Sequence, residues 1–520
     1  MNLLTDPLFR VETKQGKECV SLPALFARLG KNEIDHLVGI QRHQYDAFHV
    51  FLCYLAGAVL VRTGNKEPVQ NEDFWREGLL ALAGSADYAA WQLIADNDSQ
   101  PAFMQPALPG NKRKPTSIME TPDHLDLLLT AKNHDVKEAR AGAAAADSWI
   151  YALVSLQTMS GFYGRGNYGI ARMNSGYGNR AIVELMRDRS PGQRWLDAVD
   201  RLLIHREQVL QEPFGFDPQG LVLTWLQAWD GSSSLTLAEL DPFYIEICRL
   251  IRLRGTNRIE WAEFYPSTNP RIAAKELNGV VGDPWLPVDL KATTGKGNLK
   301  ALTFPPVGIT AEHMRRLLFE DEVQLSVLQK PKGSWSGDYW LSASVLVRGQ
   351  GVTEGFHSWE IRIPEHKTVG IFARPAQREN LAKLSRDAIA YTGIMQNRVL
   401  KPAVFAYVLG APTKLDFDDP YGNSAWTRAA HRFELLWSED YFPWLLSVPE
   451  SFEAEAELKS WVEILLKHAL TVLREVEAGM ANHSSRHYRI RTEATNRFWG
   501  GLYRNFPFMR REQDANSTQA

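Results

Sequence analysis

Apolar and polar positions alternate with different periods in successive parts of the chain. In the first 160 residues the periods are mixed. The stretch "LLTDPLFRVE" predicts a strand after a turn, with Pro7 at its start, and "SLPALFARLG" predicts a short capped helix ending at Gly30. The run "AFHVFLCYLAGAVLV", Ala47 to Val61, is shorter than the roughly 18 residues of a membrane span. Flanked by His49 and Arg62, it predicts a buried helix from about His43 to Arg62. In "NEDFWREGLLALAG", Phe74, Leu79, Leu80 and Leu82 share one helical face. Residues 106–122, "PALPGNKRKPTSIMETP", predict an exposed loop. The segment "DSWIYALVSLQTMS" fits either a helix capped by Asp147 or a strand alternating Ile150, Ala152, Val154 and Leu156.

Residues 200–370 carry short apolar runs broken by Gly, Pro, Asn and Asp, a pattern of strands and turns. The clearest pair is "YWLSASVLV" (339–347) with "FHSWEIRIP" (356–364), leaving a loop of about eight residues, "RGQGVTEG". From about Arg374 the period is helical. Leu381, Leu384, Ala388, Tyr391 and Met395 recur at three and four residues, as do Leu458, Trp461, Leu465, Ala469, Val472 and Val476. The predicted fold is α+β, a large mixed α/β domain over 1–370 followed by a four-helix bundle over 371–520. No internal repeat is present.

Composition narrows the class. Apolar residues make up 44% and charged residues 23% of the 520, which excludes a disordered chain. The formal net charge of −3 supplies no global positive field, so any nucleic-acid contact must come from local basic tracts. Cys19, Cys53 and Cys248 are too scattered for a thiolate zinc site or a disulfide framework and fit a reducing cytosol. The first residues, "MNLLTDPLFRV", lack the basic and apolar blocks of a secretory signal. A soluble cytoplasmic protein without a membrane segment is expected.

The densest motif is "GFYGRGNYGIARMNSGYG", residues 161–178, with Gly164-x-Gly166-x-x-Gly169 at dinucleotide-binding spacing. Such a site requires a strand before the glycines, a helix after them and an acidic residue about 20 positions on. Here Asn174, Gly176, Gly178 and Asn179 interrupt the place of the helix, and the only nearby acids are Glu184 and Asp188. Six arginines (165, 172, 180, 187, 189 and 194) stand between 161 and 194 among Phe162, Tyr163, Tyr168 and Tyr177. Glycine admits close backbone approach, arginine grips phosphate and tyrosine offers a stacking face, so the mixture suits a polyanion. It equally suits a solvated surface loop. "TAKNHDVK" offers Lys132, Asn133, His134 and Lys137 on a predicted loop, and "RGQG" sets Gln350 at a hairpin tip between Gly349 and Gly351.

Conventional catalytic sets are absent. His483 and His487 have metal-like spacing but lack the glutamate and third ligand of a zincin; "GKGN" lacks phosphate-loop spacing; no GxSxG occurs. Asp418 and Asp419 lie in turn-like "LDFDDPYGN". No enzyme, cofactor or metal is expected.

In their order along the chain, "MNLLTDPLFRV", "PAFMQP", "TAKNHDVK", "GFYGRGNYGIARMNSGYGNR", "KELNGVVGDPWLPVD", "LVRGQGVTEG" and the C-terminal helices resemble the CasA family, the large subunits of the type I-E CRISPR surveillance complex Cascade. The resemblance implies a non-catalytic subunit that holds the 5′ handle of the guide RNA. It also implies reading of the short flanking motif (PAM) of double-stranded DNA, help in starting strand separation and R-loop formation, contact with other Cascade subunits and docking of a helicase–nuclease. Carried over by motif, Lys132, Asn133 and His134 belong to a loop engaging guide and PAM. Gly164, Arg165, Gly166 and Asn167 form the glycine loop, Lys275 falls near the PAM minor groove, and Gln350 is a wedge flanked by Gly349 and Gly351. The cysteine zinc cluster of some relatives has no counterpart here. Two rival readings remain: a scaffold that binds only the guide handle, and a nucleotide-dependent enzyme using the 164–169 glycines.

Overall fold

Residues 1–108, 114–126, 144–174, 179–293, 297–333, 335–349, 352–479 and 485–510 are described by a computed structural model. The chain divides into two compact units, one of Met1–Ile309 with Asp321–Arg362, the other of Thr310–Glu320 with Ile363–Ala520.

The first unit is organised around the helix Arg42–Thr63, apolar on every side and buried without a break from Ala47 to Leu60. It is the one described helix long and apolar enough to cross a membrane, and 83% of that window lies inside the protein, so its hydrophobicity serves a core. The backbone N–H of Gln41 donates to the Gln44 side chain (3.0 Å) at its start, and Gly64 in the left-handed region ends it. The segment that fitted helix or strand equally is the helix Ala146–Met159.

Small sheets surround this core, nearly all antiparallel, with one parallel pair between Leu221–Leu223 and Leu240–Ile245. That mixture, with a helical C-terminal region, is the expected α+β class. Phe9–Thr13 pairs with Gly16–Val20 and with Ile34–Leu37. Ala181–Met186 pairs with Tyr339–Gly349, which in turn pairs with Val352–Ile363.

Three expectations need correction. The stretch 106–122 is not all loop, because Ser117–Met119 forms an edge strand on Ile259–Tyr265. The hairpin strands run to Gly349 and resume at Val352, so only two residues separate them instead of eight. The β-branched Val352 and Thr353 favour strand at positions that the glycines around them marked as loop. The third concerns the strand-and-turn region, which begins with the long helix Pro191–Gln211. Its buried face includes Arg194, Arg201 and Arg206 between Trp195, Val199 and Leu202, and these inward charges mask the apolar period.

The second unit is helical. Pro375–Ile394 continues through a wide π-type turn, Met395–Leu400, into Lys401–Val408; Pro420–Ser447, Ala454–Ala478 and Ser485–Asn505 follow. Two shorter helices, Ala311–Phe319 and Glu365–Phe372, belong to the same unit. Pro402 lacks the N–H that the Arg398 carbonyl would accept, which accounts for the widened turn just before it. The last helix comes close there: a Cβ on Gly501 would lie 2.9 Å from the Arg398 oxygen, whereas one on Gly500 would meet nothing within 4 Å. Trp461 ties the unit together by donating from its indole N–H to the Ala388 carbonyl (3.1 Å) and the Thr392 hydroxyl (3.0 Å).

Two outcomes follow from this packing. Gly500→Ala should stabilise the helix by about 0.5–1 kcal/mol, whereas Gly501→Ala should destabilise despite the same gain in helix propensity. Urea melts of the two variants read the sign directly.

In the first unit, burial together with Arg194 holds the His49 imidazole below its usual 6.5. Burial also opposes the charge of Glu184, but Arg194, His49 and Arg201 outweigh it and keep the carboxylate well below 4.5. The unfolded chain takes up protons at both groups more readily than the folded one. Stability should therefore fall as pH drops below about 6.5, and again through the carboxylate range. His49→Gln should flatten the first step in urea midpoints measured at pH 7.5, 6 and 5.

Candidate nucleic-acid interface

The glycine tract follows the helix Ala146–Met159 and precedes the strand Ala181–Met186, the reverse of the order that a dinucleotide site needs. Residues 164–167 form a tight turn: Asn167 N–H donates to the Gly164 carbonyl (3.0 Å), and Tyr163 N–H donates to that of Asn167 (2.9 Å). Gly164 and Gly166 have φ of 101° and 88°, a region closed to most side chains. A Cβ on Gly166 would also press on Pro266 at 3.0 Å.

Two buried residues that sequence reasoning passed over anchor this turn. The Arg249 guanidinium donates to the carbonyls of Gly161 (2.8 Å) and Tyr168, gripping both ends of the loop. Gln157 holds Arg249 in turn. Its amide oxygen accepts from the N–H groups of Cys248 and Arg249 (both 2.8 Å), and its NH₂ donates to the carbonyls of Met104 and Arg249 (both 3.0 Å). All four bonding positions of this fully buried amide are filled. The available signal was a glutamine close behind the apolar run Trp149–Val154 of the same helix, a buried position that requires partners.

The segment 266–279 runs beside the tract. Ser267 N–H donates to the Gly166 carbonyl (3.0 Å), Ile272 and Ala171 share an apolar cluster, and a Cβ on Gly279 would strike the Met173 backbone at 2.6 Å. Lys275 stands exposed on the short turn Lys275–Leu277 within this segment. The segment that carries Lys275 thus packs against the glycine tract at Gly166 and at Met173. Gly349 ends a strand whose last pairing with Ala181 is at Val345. The strand therefore reaches about 13 Å farther, past the end of the sheet from which residues 179 and 180 lead back to the tract. Lys132, Asn133, His134, Gln350 and Gly351 lie outside the described residues.

The six arginines do not act as one basic surface. Arg172 is buried over the Tyr244 ring, 3.6 Å from its centroid, and 3.7 Å from Glu246. Arg180 is buried with Asp283 (2.8 Å). Arg194 lies between Asp46 (2.8 Å) and Glu184 (3.0 Å). Arg187 makes a two-pronged bond to Asp197 (2.8 and 2.9 Å), and Arg189 meets Glu360 (2.9 Å). Burial raises the Glu246 carboxyl, while Arg172 pulls it back. Only Arg165 is exposed on the glycine turn with no acidic partner among the described residues. The expected local excess of positive charge is mostly neutralised by acids elsewhere in the chain.

No protein-family model and no curated protein matches the chain. Solved structures do match. CasA of Thermus thermophilus is similar with a TM-score of 0.62 at 16% identity, over 96% of this chain and 99% of that one. Cse1 of Thermobifida fusca gives 0.61 at 13% over 98% of both chains. The CRISPR-associated protein Cse1 from Acidimicrobium ferrooxidans gives 0.60 at 13% over 97% and 98%. The chain has the CasA (Cse1) fold over nearly its full length, as the ordered motifs implied.

The clasp predicts a separation of effects. Arg249→Ala should leave the Gly161 and Tyr168 carbonyls unmet, cost about 1.5–3 kcal/mol and speed amide exchange at Asn167 and Ile170. Arg165→Ala should change stability by no more than about 0.5 kcal/mol. Thermal melts and hydrogen–deuterium exchange of both variants read this difference.

Proposed function

We propose that this chain is the large subunit of a type I-E CRISPR Cascade complex. In this reading it is a non-catalytic cytoplasmic protein that contacts the guide-RNA handle and the other subunits. It reads the PAM of duplex DNA, helps part the strands and presents a docking surface to a helicase–nuclease. The observation that carries the reading is the rigid turn at 164–167, presenting Arg165 beside the Lys275 segment on a chain with the CasA fold.

The chemistry of each part suits the role. A minor groove shows few base-specific groups, so reading it requires close backbone approach, which the side-chain-free Gly164 and Gly166 permit. Arg165 supplies a phosphate partner, and Lys275 can reach the groove floor as a compact cation. Lys132, Asn133 and His134 would engage guide and PAM together. Gln350, between Gly349 and Gly351, would enter the base stack at the hairpin tip. Unstacking costs roughly a few kcal/mol, offset by PAM contacts and by the guide pairing that follows. Because exchange of duplex for RNA–DNA hybrid is nearly balanced, a contribution of that size decides whether opening begins.

A second reading, a scaffold that grips the guide handle without reading DNA bases, is favoured by one feature. Most arginines of the glycine tract are already paired internally, which leaves a weak field for duplex DNA. The two readings differ in a measurable way. With a wedge, Gln350→Ala should weaken opening of linear targets more than of negatively supercoiled ones, because supercoiling lowers the opening cost. Strand-opening assays on both templates test this, and equal losses would favour the scaffold.

A further inference from the structure

A groove of about 460 Å³ lies in the first unit against the hairpin strands, and neither the glycine turn 164–167 nor Lys275 lines it. Its lining combines guanidinium groups with aromatic faces. Arg42 stands at the start of the core helix with its guanidinium 6.0 Å from the Phe356 ring, and it donates to the Ser358 hydroxyl. Arg189 lies 5.5 Å from the ring of Trp340 and pairs with Glu360. Tyr45 and Phe356 supply the aromatic walls, Phe356 sharing its strand face with Ser358 and Glu360. Arg194 also reaches the groove but is neutralised by Asp46 and Glu184. Arg42, exposed and without a carboxylate partner among the described residues, is therefore the cation free to take an anion.

We infer that this groove binds one unstacked nucleotide of a single-stranded nucleic acid, with Arg42 on its phosphate and the Tyr45–Phe356 wall against its base. Three observations point to that ligand. The volume falls in the roughly 300–1,000 Å³ range of small-ligand sites, suited to a single nucleotide and far too small for a duplex. Arginine beside aromatic faces is the pairing by which proteins hold single strands without reading sequence. The groove also uses the strand Val352–Ile363 itself, with Phe356 about 13 Å along it from Val352. A strand parted at the hairpin tip has only that distance to travel. The identity of that strand as displaced target DNA rests on the proposed function; the groove's chemistry does not.

The test uses the full-length chain and a decathymidylate carrying one 2-aminopurine, followed by anisotropy and by probe emission. Binding should quench the probe through stacking. Arg42→Glu should weaken affinity about tenfold, and Phe356→Leu should remove the quench. Arg42→Ala should also reduce the dependence of log affinity on log salt by about 0.7. Failure of the unsubstituted chain to bind, or affinity of Arg42→Glu within threefold of it, overturns the groove. Arg42 lies on the surface, so its variants test the proposal even if Phe356→Leu fails to fold. If the groove fails while the chain still confers a flank preference on a guide-loaded complex, only this inference falls. If the oligonucleotide binds as expected but no flank preference exists, PAM reading falls and the groove stands.

Discussion

A guanidinium removed from water must be met by carboxylates, carbonyls or aromatic faces, and this requirement organises the first unit. Arg172, Arg180, Arg194, Arg201, Arg206 and Arg249 are all buried, three of them on the one helix Pro191–Gln211. Each fixes distant stretches of chain to one another. Arg194 and Arg201 bind the helix Pro191–Gln211 to Glu184 on a sheet strand, and Arg206 binds it to Asp241. Arg249 closes the glycine loop. Removing one partner of such a pair leaves an uncompensated charge in the interior. The described glycine turn is tied in this way to the buried interior.

That constraint also separates the arginines that can serve a ligand from those that cannot. Within the glycine tract the internal pairs take five of the six, leaving Arg165 at the tip of a turn set by two positive-φ glycines. Outside it, Arg42 faces a groove whose carboxylates, Asp46 and Glu360, pair with Arg194 and Arg189. A net charge near zero is thus compatible with binding nucleic acid, because affinity would come from a few unpaired cations in shaped sites.

Elements with one clear period were legible in the sequence. The core helix, the capped helix Leu22–Gly30 and the long C-terminal helices follow from apolar spacing and end signals. The two strands of the hairpin follow from alternation, although their length does not. Less legible were elements whose inward faces carry charge. Pro191–Gln211 looks irregular until its arginines are seen to point inward. The helix Ala311–Phe319 belongs to the C-terminal unit although more than forty residues separate it from the rest, a long-range association that local pattern does not encode. At the candidate site the glycine turn was visible as composition. Its anchors, Gln157 and Arg249, were not, because they act through backbone carbonyls far away in sequence. The dense run of arginines suggested a basic surface, yet most of its charge is answered by acids from other segments.

The central claim is that this chain reads the flank of a duplex target. The most direct measurement is binding of a guide-loaded complex to duplex targets with randomised flanks, with and without the chain. Strong enrichment of one short flanking motif only when the chain is present is the predicted result. A rise in affinity with no flank preference would contradict it and leave the chain a clamp on the guide.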